Sequence, residues 1–125
     1  MKEALSTGAQ VCRAGEAKPF MEGDEVVHIY FNSDKIIFST STLQPGQRST
    51  RDPGHDGAHE VVYCISGDVF LELGTDKETF VALAQGDAAL IEEGVPHRVC
   101  NVGSGPAEMA WATAPFLGRP LVYEE

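Results

Sequence analysis

The sequence predicts an all-β fold, a sandwich or barrel of short antiparallel strands. Two observations carry that prediction. Apolar runs of five to nine residues, rich in Val, Ile, Phe and Thr, recur along the chain and are separated by Gly, Pro, Asn and Asp. The connections between them are too short for the helices of ten or more residues that a parallel α/β fold requires.

The elements follow in order. "EVVHIYF" (25–31) is a strand ended by the turn-forming "NSD". "KIIFSTSTL" (35–43) is rich in β-branched residues and stops at "QPG". "EVVYCI" (60–65) is closed by Ser66-Gly67-Asp68, and "VFLEL" (69–73) completes a hairpin. "ETFVAL" (78–83) comes next, and "DAALI" (87–91) follows Gly86. "HRVCNV" (97–102) and "AEMAWAT" (107–113) complete the set. Helix is confined to a turn or two in the first 15 residues. Residues 1–20 are expected to form an N-terminal arm, and 21–125 a single domain.

Composition bounds the function. A chain of 125 residues with 42% hydrophobic residues can bury a core without staples. The formal net charge of −10 argues against nucleic acid and anionic membrane surfaces as partners, since both need basic surface. No apolar run is long enough to cross a bilayer, and the first residues carry no signal-like segment, so a cytoplasmic location is expected. Cys12, Cys64 and Cys100 are odd in number and widely spaced, with no C-x-x-C pair. They make neither a disulfide framework nor a zinc ribbon. Cys64 and Cys100 read as structural residues.

The stretch "PGHDGAHE" (53–60) is where chemistry concentrates. Strand alternation groups Glu60 with Val62 and Cys64 on one face and His59, Val61 and Tyr63 on the other. His55 lies on the incoming loop and can reach the same mouth as Glu60. In "GVPHRVCN" (94–101), His97, Val99 and Asn101 share a face, and Pro96 biases Val95 towards an extended strand entry. Two imidazoles and a carboxylate can thus converge from neighbouring strands. Such a trio suits Fe, Mn or Zn, with Ni or Co also accommodated, and leaves positions open for substrate.

These residues resemble the motifs of the cupin family. The first family motif has the form G-x5-H-x-H-x3,4-E-x6-G. His55 matches its second histidine, Glu60 follows after four residues, and Gly67 after six more. The second has the form G-x5-P-x-G-x2-H-x3-N. Gly86, Gly94, His97 and Asn101 match in register, while Glu92 replaces the proline. The motifs and the 18-residue segment 68–85 between them span residues 46–101. The resemblance implies a cupin (RmlC-like) jelly-roll β-barrel with a divalent metal ion held by His55, Glu60 and His97.

One departure stands out. Pro53 occupies the position of the family's first histidine and offers no ligand atom. A fourth ligand would have to come from Asp52, Asp56 or His59, and loss of the metal is a further alternative.

The resemblance implies a metal-dependent enzyme acting on a small polar metabolite that bears a carboxylate or hydroxyl. Mononuclear non-haem oxidoreductase (dioxygenase) chemistry is the first expectation. A metal-dependent sugar-type isomerase, epimerase or lyase is the alternative, and a non-catalytic small-molecule binder is the third. His59 and Tyr63 are candidate proton-transfer groups by proximity to Glu60. Arg51, and Arg48 beside it, are candidate clamps for an anionic substrate. The edge strands of such a fold need cover, so a homodimer is expected.

Overall fold

A computed structural model describes residues 3–4, 8–76 and 79–115. The strands are β1 (Glu3–Ala4), β2 (Gln10–Val11), β3 (Lys18–Glu22), β4 (Glu25–Asn32), β5 (Ile37–Leu43) and β6 (His59–Ser66), then β7 (Asp68–Leu73), β8 (Thr79–Ala84), β9 (Ala88–Ile91), β10 (His97–Asn101) and β11 (Ala107–Ala114). A 3-10 turn over Ala14–Glu16 is the helix of the described residues. The expected all-β class is the observed one, and each of the eight expected strands overlaps an observed strand.

The strands form a six-stranded sheet in the order β3-β4-β5-β11-β6-β9, a three-stranded sheet in the order β10-β7-β8, and the small pair β1-β2. Every pairing is antiparallel. The expected barrel is thus observed as a cupin-like arrangement of two main sheets. Segment 47–52 links them. It bonds to the free edge of β10 through Ser49 and Asp52, and to the β3–β4 hairpin through Arg48 and Thr50.

Two details differ from the sequence expectations. Strand β3 is not among the expected strands, and it crosses the boundary drawn between residues 20 and 21. Its "KPFME" carries a proline and two charged residues, which hide it from pattern reading. Pro19 is tolerated because β3 is an edge strand and needs no second partner for its nitrogen. Strand β5 begins at Ile37 rather than Lys35. The Ser33 hydroxyl accepts from the backbone N–H of Lys35 and Ile36, which holds those residues in a turn. The strand expected over 78–83 is observed from Thr79 onward. Residues 1–2, 5–7, 77–78 and 116–125 lie outside the described residues.

The core sits between the two sheets. The six-stranded sheet supplies Leu43, Val62, Cys64, Ala107 and Met109, and the three-stranded sheet supplies Val69, Leu71, Leu83 and Val99, all nearly inaccessible. Each buried Leu, Val or Met side chain contributes roughly 1.5–3 kcal/mol. Gly67 joins β6 to β7 with a φ of 91°. A Cβ there would lie 2.8 Å from Ala107, so both the turn and the close approach of β11 require glycine. Asn101 closes the far end of β10. Its Nδ2 donates to the carbonyls of Leu43 and Gly105, and its Oδ1 accepts from Gly103 N–H. These bonds make it a structural residue.

Candidate metal centre

At the other end of the sheets the inner face turns polar. An open cavity of about 540 Å³, counting space that communicates with solvent, is lined by Val27, Ile29, Ile37 and Trp111 and by Asp52, His55, Glu60 and His97.

Local pairing explains how the four polar side chains meet. Glu60 is the second residue of β6, and alternation buries Glu60, Val62 and Cys64 while exposing His59, Val61 and Tyr63. His97 opens β10 and lies opposite Asp52 in an antiparallel bridge, with N–H···O bonds of 2.8 and 2.9 Å in both directions. Directly opposed residues point to the same side, so Asp52 and His97 enter the cavity together. His55 is brought in by docking of two loops. Gly94 N–H donates to His55 O, and Gly57 N–H donates to the Glu93 carboxylate. Gly54 permits this contact, because at its φ of 97° a Cβ would lie 2.7 Å from the Gly94 backbone.

Asp52 Oδ2, His55 Nε2 and Glu60 Oε1 lie within a 4.8 Å cluster. His55 Nε2 is 3.2 Å from Asp52 Oδ2 and 3.7 Å from Glu60 Oε1. His97 Nε2 is 3.5 Å from Asp52 Oδ2 and 2.8 Å from Glu60 Oε1. Atoms that share one divalent ion at about 2.1 Å stand roughly 3.0–3.5 Å apart. The Asp52, His55 and Glu60 atoms lie close enough together to share one ion with small adjustment, and His97 approaches them from the side of Asp52 and Glu60.

The far side of three of the four groups is held. Gly54 N–H donates to Asp52 Oδ1 at 2.8 Å, and Thr113 Oγ1 donates to Glu60 Oε2 at 2.7 Å. His97 Nδ1 lies 3.0 Å from the Val95 carbonyl. A carbonyl only accepts, so Nδ1 carries the proton and the neutral ring aims a lone pair from Nε2 at the cavity. Such supports are what ligating side chains need. Glu60 Oε1 is sealed from solvent and has no aligned donor among the described residues, despite the nearness of His97.

The electrostatics ask for positive charge. The Asp52 carboxylate and then Glu60 push His55 up to about 10 against the effect of burial. Burial would lower His97, but Glu60 and Asp52 outweigh it and the net shift is upward. Burial would raise Glu60, but the two histidines outweigh it and hold it near 2. Without metal, the cluster therefore gathers protons on imidazole beside two carboxylates. A divalent cation bound there would supply the same charge in place of those protons. The donor set of two imidazoles and two carboxylates fits a borderline divalent ion. Thiolate plays no part: Cys64 is buried in the core with its Sγ near the carbonyls of Ser66 and Gly67.

The remaining sequence candidates lie elsewhere. His59 is exposed on the outer face of β6, and Tyr63 shares that face at 44% exposure. Alternation from Glu60 places both across the sheet from the cavity, so neither reaches it. Arg51 alternates away from Asp52 and is buried in an ion pair with Glu72 at 3.0 Å. Its Nη2 also donates to Gly74 O. It faces the three-stranded sheet and is spent on holding the loop. Arg48 and Asp56 are exposed. Of the proposed fourth groups, Asp52 is the one that joins His55, Glu60 and His97. Its position beside Pro53 was a usable signal, since a carboxylate one residue before a vacant ligand position can replace it.

Comparison with known proteins agrees with this geometry at the level of fold. The model for the cupin domain matches residues 39–113. A predicted oxalate decarboxylase from Thermotoga maritima superposes with a TM-score of 0.70 at 20% identity, over 83% of this chain and 97% of that one. KdgF from Halomonas sp. gives 0.70 at 15% identity, over 86% and 94%. The Fe(II) form of HppE gives 0.75 at 16% identity, over 89% of this chain and 63% of that one. No curated protein matches. The two motifs, the paired sheets and the match over residues 39–113 together place this chain in the cupin domain family.

Proposed function

We propose that the chain is a metal-dependent enzyme of the non-haem oxidoreductase (dioxygenase) type, acting on a small metabolite that bears a carboxylate or hydroxyl. The observation that carries the proposal is the convergence of Asp52, His55 and Glu60, with His97 against Asp52 and Glu60, in a cavity that Val27, Ile29, Ile37 and Trp111 also line. These four residues would hold Fe, Mn, Zn, Co or Ni. A bound ion of this kind supplies Lewis acidity, and iron adds access to dioxygen chemistry. The chain's own part is to orient and exclude. Thr113, Gly54 and Val95 fix the ligand atoms. Val27, Ile29, Ile37 and Trp111 give the otherwise polar cavity an apolar wall against which the metabolite packs. The likeness to the Fe(II) form of HppE supports iron as the first metal to test.

A second reading, isomerase, epimerase or lyase, is favoured by one observation: a further buried carboxyl, Glu25, lines the same cavity. Elemental analysis of protein purified without added metal or a histidine tag tests both. One ion per chain, lost in His97→Ala, is expected, and metal below a small fraction would overturn both. Oxygen uptake by the Fe(II) protein across catechols, thiols, diketones and 2-keto acids then selects the oxygenase. Hydrogen exchange between solvent and hydroxy acids or sugars, without uptake, selects the second reading. The proposal includes a homodimer, supported by Val61, Tyr63 and Leu90, which are exposed together on the outer face of the six-stranded sheet. A monomer by light scattering at micromolar concentration would remove that part.

A further inference from the structure

Glu25 is a buried acid that the metal cluster does not use. It opens β4 on the same inner face as Val27 and Ile29, is 2% exposed, and lines the cavity. Ser41 Oγ donates to its Oε2 at 2.6 Å, and Trp111 Nε1 donates to Ser41 Oγ at 2.9 Å. The direction of this relay is set by chemistry. An indole N–H only donates, so the Ser41 oxygen receives it on a lone pair, and its single hydrogen goes to Glu25. Oε2 is therefore held as an acceptor. Any proton that Glu25 carries sits on Oε1.

The surroundings keep that proton near balance. Among the described residues no lysine or arginine pairs with Glu25, and its hydrogen-bonding partner is Ser41 rather than any of the four cluster residues. Facing it are Glu60 from β6, His97 from β10 and Asp52 from segment 47–52, and its register partner on β3 is Glu22. Burial raises Glu25 to about 7, with the Ser41 hydrogen bond and His97 opposing and Glu60 and Asp52 adding to the rise. A buried carboxyl without a cation is a costly way to fill a wall that a leucine would fill, and groups poised near neutrality in clefts are suited to proton transfer.

We propose that Glu25 is the proton-transfer residue of this cavity, exchanging a proton through Oε1 with a hydroxyl- or carboxyl-bearing metabolite whose other end is held by the metal cluster. This rests on the functional reading above and applies to either reaction class. In one direction the ligand O–H bond breaks, the Oε1–H bond forms, and the electron pair stays on the ligand oxygen. In the other, the protonated Oε1 returns the proton to the product. Ser41 and Trp111 are positioning residues.

Two measurements test this. The first is carbon-13 NMR of the side-chain carboxyls in the metal-free protein, with the Glu25 signal assigned by its loss in Glu25→Gln. A titration midpoint near neutral pH is expected, rising in Ser41→Ala, where the charged form loses its hydrogen bond. A midpoint below about pH 5, or one unmoved in Ser41→Ala, would overturn the proposal. The second is calorimetry of glycolate binding to the Zn(II) protein in buffers of different ionisation enthalpy. A proton exchanged on binding by the wild type and absent in Glu25→Gln, with zinc still at one per chain, is the expected result. An unchanged proton count in Glu25→Gln would overturn the proposal. A wild-type protein that takes up no zinc would instead overturn the metal reading, and the titration of Glu25 in the metal-free protein would still decide this inference.

Discussion

The two ends of the space between the sheets are built from the same strands and do opposite things. Strand β6 gives Glu60 to the cavity and then Val62 and Cys64 to the core. Strand β10 gives His97 and then Val99. Strand β11 gives Met109 to the core and Trp111 and Thr113 to the cavity, and β5 gives Ser39 and Ser41 before Leu43. A step of two residues along one face converts a dry core into a site. At one end the side chains satisfy one another by contact. At the other they are held from behind and aimed at a space none of them fills.

That contrast predicts effects of decreasing size. Leu71→Ala should cost the core about 2–5 kcal/mol, read as a lower thermal midpoint, while folded protein keeps its metal. A loss of metal without loss of stability would contradict the separation of the two ends.

The two buried glutamates of the cavity should give the metal-free protein opposite pH slopes. Glu60 is depressed, so its contribution is present above its unfolded value of 4.5 and is lost as pH falls towards about 2. Glu25 is raised, so its contribution is present below 4.5 and is lost as pH rises through about 7. Each amounts to at most about 3 kcal/mol. Denaturation across pH should show the acid limb flattened in Glu60→Gln and the neutral limb flattened in Glu25→Gln. Identical profiles for the two variants would refute the assignment.

Thr113→Val leaves the Glu60 carboxylate in place but frees its Oε2. It should weaken metal affinity about 10- to 100-fold, with much less effect on folding. Competition with a chelator would measure this, and an unchanged affinity would show that Glu60 needs no support.

The smallest effects belong to the outer face. His59→Ala and Tyr63→Phe should shift stability by no more than about 0.5 kcal/mol and leave metal content at the wild-type level. A tenfold fall in metal affinity for either would mean that β6 does not alternate as described.

Much of this was legible in the residues. Period-two alternation from Glu60 separated His59 and Tyr63 from Cys64 before any coordinates, because a strand has only two faces. The same alternation paired His97 with Val99 and Asn101. Spacing alone could not place Arg51, since its partner Glu72 is 21 residues away on another sheet. Strand β3 was hidden because an edge strand tolerates proline and charge, and its pairing with β4 comes from the neighbour more than from its own pattern.

By itself the sequence determined the all-β class, the approximate positions of strands β4 to β11 and the candidate ligands His55, Glu60 and His97. These are local properties: alternation, turn chemistry, and motif spacing along one chain. Only the tertiary structure brought Asp52 into one cluster with His55 and Glu60, next to the position where Pro53 offers no ligand atom, because the bridge between Asp52 and His97 joins residues 45 apart. Only it brought Glu25 into the same cavity, through a diagonal contact to Ser41 and a third strand carrying Trp111. Which polar groups share a space depends on strand order and register across sheets, and those are set by packing of the whole chain rather than by any one stretch of it.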